Sequence, residues 1–174
     1  MGISWKFALK DFQKARILVF LDPALDPQGR GYNVRQAIIA VGSGKMFGQG
    51  LAQGQQSKQK FLPEKQTDFI FAATCEEVGF IGAITLLGLY LFLFSRIMVV
   101  MRNAKDDLGM YIAGGIFFLL LVHSVININM NIGLLPVTGI PLPFFSAGGS
   151  SFVVTFISLG IVQNIAMQSK ALRF

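Results

Sequence analysis

The sequence predicts an all-α multi-pass membrane protein, a large extracytoplasmic loop followed by three transmembrane helices. Three observations lead there. Of 174 residues, 53% are hydrophobic and only 14% charged, where ordinary soluble domains carry about 25% charged residues. Neither Val78 to Ser95 nor Leu108 to Ser169 contains an Asp, Glu, Lys or Arg, and a bilayer core takes roughly 20 apolar residues per helix. The first 65 residues, by contrast, hold ten of the fifteen basic residues against four acidic ones.

Along the chain, Asp11 to Phe20 reads as a short helix with Asp11 as its cap, stopped by Asp22-Pro23 and Asp26-Pro27. Gln28-Gly29-Arg30-Gly31 is a turn. Asn33, three residues before Gln36, gives a capping-box pattern. Val34, Ala37, Ile38 and Val41 follow at helical spacing, so an amphipathic interfacial helix is expected, ending at Gly42-Ser43-Gly44. A short core helix would show the same pattern. Lys45 to Lys60 is rich in Gly, Gln and Lys without a period, a loop closed by Phe61-Leu62-Pro63.

Residues 1–68 therefore form the expected extracytoplasmic loop and residues 69–174 the membrane domain. Its spans are expected at about 69–95, 110–128 and 151–167. Arg96, Arg102 and Lys105 lie between the first two spans, and Lys170 and Arg173 follow the third. The positive-inside rule puts both clusters in the cytoplasm of the cell whose membrane holds the chain. Residues 1–68 and the stretch 129–150 then face outward. The basic residues of the first segment do not oppose this, because loops longer than ~60 residues escape the rule.

Several classes are excluded or disfavoured. A lone cysteine, Cys75, rules out an internal disulfide and a cysteine-built zinc cluster. Nothing resembles a nucleic-acid module, so the basic segment fits acidic lipid headgroups, a pyrophosphate or plain solvent better. Met1 to Lys14 lacks the apolar core of a secretory signal. An outward-facing start without a signal leads us to expect an incomplete chain.

Two segments carry candidate chemistry. The first is Phe61-Leu62-Pro63-Glu64-Lys65-Gln66-Thr67-Asp68-Phe69-Ile70-Phe71-Ala72. Thr67 can cap the helix that begins here, with Asp68 in its first turn, where the dipole favours an ionised carboxylate. Such a carboxylate at a membrane surface can accept a proton from a sugar hydroxyl; equally, it can simply stabilise the helix start. Glu76 and Glu77 lie two turns on, and eight helical residues span ~12 Å, so Asp68 and Glu76 do not make a glycosidase-like pair. Glu76 is either an intramembrane functional carboxylate or a headgroup-level one.

The second segment is Asn127 to Ser151, uncharged yet broken by three prolines and four glycines. Irregular backbone at membrane depth survives where it is packed in protein or lines a polar cavity. Gly148-Gly149-Ser150-Ser151 opens the last span with free backbone amides, an anion site through Ser150 and Ser151 or merely a capped turn. His123, alone in an apolar span, reads as a structural hydrogen-bonding residue.

At these motifs the chain resembles the SEDS family (shape, elongation, division and sporulation proteins). Three stretches carry the resemblance. Arg16-Ile17 and Phe20-Leu21-Asp22-Pro23 continue into Gly31-Tyr32-Asn33-Val34; Gly48-Gln49-Gly50 leads through Gly54-Gln55-Gln56-Ser57 to the segment around Thr67-Asp68-Phe69; and Asn131 to Phe144 ends in Gly148-Gly149-Ser150-Ser151. They cover nearly the whole chain in family order. The Gly-Tyr-Asn-Val segment and the spacing around Ser57 are more like the elongation branch than the division branch. Ala147 stands where many members have tyrosine.

The resemblance implies the C-terminal part of a fold of about ten helices, with a large outer loop before the last three. It implies a peptidoglycan glycosyltransferase that polymerises lipid II, with Asp68 as the carboxylate that activates the acceptor hydroxyl. Basic residues of the outer loop would offset the charge of the departing pyrophosphate, with or without a divalent cation; the sequence does not single them out, and Arg35 and Lys45 are taken as candidates. No metal-binding residue and no cofactor is assigned. The implied partners are lipid II, a class B penicillin-binding protein and the missing N-terminal spans, which makes this chain a fragment or half of a split protein, inactive alone and marginally folded, with Asn127, Asn131 and His123 lacking partners. The competing readings are a lipid II flippase or transporter-like protein and a non-catalytic scaffold of a cell-wall synthase. Asp68 separates them, since only polymerisation requires its carboxylate.

Overall fold

The computed structural model describes residues 16, 18–20, 26, 29–50 and 67–169. The described residues contain no strand. Their main helices are α1 (Arg30–Ser43), α2 (Ile70–Arg102), α3 (Asp107–Asn131) and α4 (Gly149–Gln168). The expected helix over Asp11–Phe20 lies largely outside the described residues, although Leu18, Val19 and Phe20 are helical. Residues 51–60 of the expected Lys45–Lys60 loop and the Phe61-Leu62-Pro63 closure also lie outside them.

The last three helices are long and apolar enough to cross a membrane, with mean hydropathies of 2.1, 2.0 and 1.6. The protein is a multi-pass membrane protein. Its helices run past the apolar cores read from sequence: α2 continues through Arg96 to Arg102, and α3 begins at Asp107, whose carboxylate suits the positive end of the helix dipole. In their most apolar stretches only 22%, 28% and 17% of the residues are buried. Most of each span's surface is therefore open.

What packing there is runs through the faces where the helices touch. Tyr90 and Phe94 stack at 5.9 Å, and Phe94 meets Phe117 edge-on at 5.8 Å, joining α2 to α3. Leu120, Leu142 and Val162 complete this core. A second, smaller cluster seats α1 on the start of α2. Ala37 and Ala40 lie against Phe69 and Ala72, and these small side chains let the helices approach closely.

Helix α1 starts earlier than its capping pattern suggests. Gly29 precedes it and is itself held by Asp26, whose Oδ1 accepts the Gly29 amide at 2.9 Å. Asn33 is consequently inside the helix, its N–H donating to the Gly29 carbonyl at 3.2 Å, and is not a cap.

The first span is not one helix. At Gly79 (φ 75, ψ −166) α2 breaks, leaving a short N-terminal part and a longer C-terminal part. A break in a membrane helix strands carbonyls on one side and amides on the other, each costly in hydrocarbon. The turn after α1 satisfies both sets. The amides of Gln49 and Gly50 donate to the carbonyls of Glu76 and Glu77, at 2.9 and 3.1 Å, and those of Phe80 and Ile81 donate to Lys45 and Met46, at 2.9 and 3.2 Å. The continuous apolar composition from Val78 to Ser95 hid this break, because backbone geometry leaves no trace in hydropathy.

Candidate active site

The site is built around the turn Thr67-Asp68-Phe69, which precedes α2. The residue capping α2 is Phe69, whose own side chain makes no capping hydrogen bond, and the first turn contains no acidic residue. Thr67 is thus not the cap, and Asp68 lies one residue ahead of it, outside the first turn. The physical reason is that other groups already satisfy this helix start.

Those groups come from α3. Asn127 and Asn131, one turn apart and each 0% exposed, both donate from Nδ2 to the main-chain carbonyl of Asp68, at 3.1 and 3.0 Å. Asn131 Oδ1 accepts the amide of Ala72 at 3.1 Å, one of the helix-start donors that would otherwise be orphaned. Asn131 also donates to the Asn127 carbonyl at 2.8 Å, and Asn127 donates to the Ile140 carbonyl at 2.8 Å. The expectation that these asparagines lack partners within the chain is therefore incorrect. Their spacing of four, which puts both on one helix face, was the available sequence signal.

The uncharged segment between α3 and α4 folds over this turn. Ser146 donates to the Thr67 carbonyl at 2.7 Å and accepts the Leu142 amide at 2.7 Å. The Tyr90 hydroxyl donates to the Pro143 carbonyl, tying the segment to α2. Phe144, held at φ 61, meets Phe156 of α4 edge-on at 5.4 Å. Gly139 brings this wall to the carboxylate: a Cβ there would stand 3.5 Å from Asp68 Oδ2. The irregular segment thus packs in protein and lines the carboxylate. Asp68 itself is half-buried.

Arg16 was not singled out from the sequence as a site residue, although it opens one of the family stretches. Its Nη1 donates to the carbonyl of Thr138 at 3.4 Å, next to Gly139. Arg35 is exposed on α1, and Lys45 is exposed where the turn after α1 meets the broken helix. Lys45 also borders an open apolar groove of about 610 Å3, walled by Val41, Phe71, Cys75, Phe80, Ala83, Ile84, Leu87, Ile128 and Ile132 among others.

Glu76 is 0% exposed, enclosed by protein just ahead of the break at Gly79. Ser151 turns its hydroxyl back to the Gly148 carbonyl at 2.9 Å, while Ser150 is exposed beside it at the start of α4. His123 is half-buried on α3. Among the described residues no three His, Cys, Asp or Glu side chains group to hold a metal ion.

A sequence profile of the FtsW/RodA/SpoVE group of cell cycle proteins matches residues 1–171. The chain belongs to this family. Within the family, the Escherichia coli peptidoglycan glycosyltransferase MrdB is 44% identical over 98% of this chain and 46% of its own length. Stage V sporulation protein E of Bacillus subtilis is 44% identical over 89% of this chain and 42% of its own length. The chain thus spans about half the length of the curated relatives it matches. Among solved structures, a chain of a peptidoglycan synthase complex superposes with a TM-score of 0.74 at 30% identity, covering 97% of this chain and 45% of that one. The Thermus thermophilus rod shape determining protein RodA gives 0.57 at 26% identity, covering 98% and 59%. The family is the SEDS family to which the motifs pointed, and the helices described above superpose on part of its fold.

Proposed function

We propose that this chain is the acceptor-activating part of a peptidoglycan glycosyltransferase that polymerises lipid II during cell elongation. The observation that carries the reading is the Asp68 turn: a half-buried carboxylate ahead of a membrane helix, its main chain anchored by Asn127 and Asn131 and its Oδ2 bordered by Gly139 of an uncharged wall. A general base needs a fixed position and access to the proton it takes. Asp68 accepts the proton of the acceptor sugar hydroxyl, the freed oxygen attacks the anomeric carbon of the growing glycan, and undecaprenyl pyrophosphate leaves as that carbon–oxygen bond breaks.

The charge of the leaving group calls for a cation. Arg16, beside the same wall, is better supported for this role than the exposed Arg35 and Lys45. The exposed Ser150 and the amides at the start of α4 suit a further phosphate contact. A class B penicillin-binding protein is the partner that fits, in keeping with the synthase complex whose chain superposes on this one. The membrane is the bacterial cell membrane, with residues 1–68 outside and the C-terminus in the cytoplasm.

One observation favours the alternative of a lipid II flippase: helices broken within the bilayer are a common feature of transporters. The test is Asp68→Asn in the completed enzyme, meaning this chain joined to the segment that precedes the matched region in a relative. We expect no glycan polymer from lipid II at unchanged expression. A lost helix-start charge is worth only ~0.3–1 kcal/mol and would not abolish turnover. Near-normal polymerisation by the asparagine variant would reject the reading, and lipid II translocation without polymer by the parent enzyme would establish the flippase.

A further inference from the structure

We infer that Asn127 and Asn131 are positioning residues for Asp68, fixing the place at which its carboxylate meets the acceptor hydroxyl. The inference rests on the reading of Asp68 as general base. Both asparagines are fully buried, so they act on the carboxylate and not on substrate.

Their geometry leaves little freedom. A backbone carbonyl can only accept and a backbone amide can only donate. Each Nδ2 faces carbonyl oxygens, and Asn131 Oδ1 faces the Ala72 amide, so the side-chain amides are held in one orientation. Two donors converge on the Asp68 carbonyl and use both of its lone pairs. The same pair pins the chain on the other side of the helix start, at Ala72. Asn127 meanwhile holds Ile140, the neighbour of Gly139 that stands against Asp68 Oδ2. One pair of side chains thus sets both the backbone beneath the carboxylate and the wall beside it.

Simple adhesion between helices would not require this. Apolar side chains on the same face of α3 would hold the two spans together, yet they would leave the turn free to shift. Misplacing a reacting group by about 1 Å can cost about 100-fold in rate.

The test uses Asn127→Asp and Asn131→Asp in the completed enzyme. Each variant keeps the size and replaces the amide donor with an acceptor oxygen, and Asn131→Asp also retains the acceptor for Ala72. The expected result is a kcat for lipid II polymerisation lower by about 100-fold, with KM for lipid II unchanged. Should either variant fail to accumulate in membranes, Asn127→Ser or Asn131→Ser keeps a shorter donor and is expected to show the same split. A second readout needs no turnover. With Asp68→Cys in a Cys75→Ser background, the maleimide labelling rate at position 68 should change when Asn131→Ser is added. Parental kcat in the asparagine variants, alongside an inactive Asp68→Asn enzyme, overturns the positioning role. An active Asp68→Asn enzyme rejects the general base instead; the labelling rate then decides, and no change in it overturns the inference as well.

Discussion

A Cβ placed on Gly79 would stand 2.3 Å from the amide nitrogen of Gly48, and one placed on Gly48 would stand 2.2 Å from the carbonyl oxygen of Glu77. The two glycines are where the turn after α1 enters the broken span. Both have φ near +76, 75 at Gly79 and 76 at Gly48. The contact links the turn after α1 to the helix that follows Asp68.

Alanine at Gly79 should therefore be severely destabilising. Its backbone conformation is essentially restricted to glycine and costs ~1–3 kcal/mol for other residues, before the collision with Gly48 is counted. We expect Gly79→Ala and Gly48→Ala to lower the melting temperature of the purified protein in detergent. Alanine at Gly42, where a Cβ meets nothing within 4 Å, should not. Equal melting temperatures for all three would contradict the interlocked turn.

Arg16 provides a second expectation. It reaches the wall beside Asp68, whereas Arg35 and Lys45 are exposed. Arg16→Ala should reduce lipid II polymerisation by the completed enzyme at least tenfold, a loss of about 1.4 kcal/mol of transition-state stabilisation. Arg35→Ala and Lys45→Ala should cost less. Arg16→Lys should rescue little, since a lysine cannot reproduce the forked geometry of a guanidinium. The rates of the four variants, measured side by side, check this ordering.

Topology is testable with single cysteines in a Cys75→Ser background. Ser57→Cys should react with a membrane-impermeant maleimide added outside the cell, and Asn103→Cys, in the turn after α2, only after the membrane is opened. Labelling of position 57 solely from the cytoplasmic side would invert the proposed orientation.

The open faces of the three spans bear on activity. Only 17% of the most apolar stretch of α4 is buried, and Val153, Val154 and Ile157 lie exposed along it. A transferase for two lipid-linked sugars needs walls on both sides of its cleft. Purified residues 1–174 should form no polymer from lipid II, and the preceding segment of a relative, supplied in cis or as a second chain, should restore it. Robust polymerisation by residues 1–174 alone would refute this.

The sequence alone determined the membrane class, the three spans and the family. Charge-free runs long enough to cross a bilayer admit few alternatives, and the motifs around Asp68 and Asn131 are specific. It also marked the segment from Asn127 to Ser151 as irregular backbone that is packed in protein or lines a cavity, because its prolines and glycines forbid a continuous helix in hydrocarbon. Only the tertiary structure decided how the helix start at Asp68 is satisfied. The local pattern favoured Thr67 as a cap, but Asn131 accepts the Ala72 amide from 59 residues away, and Asn127 and Asn131 donate to the Asp68 carbonyl from 59 and 63 residues away. It likewise revealed the break at Gly79, whose stranded backbone groups are met by residues 45–50. Composition and periodicity report how a segment meets its solvent. They carry no record of which distant backbone groups will be paired, and at this site that pairing sets the position of the carboxylate.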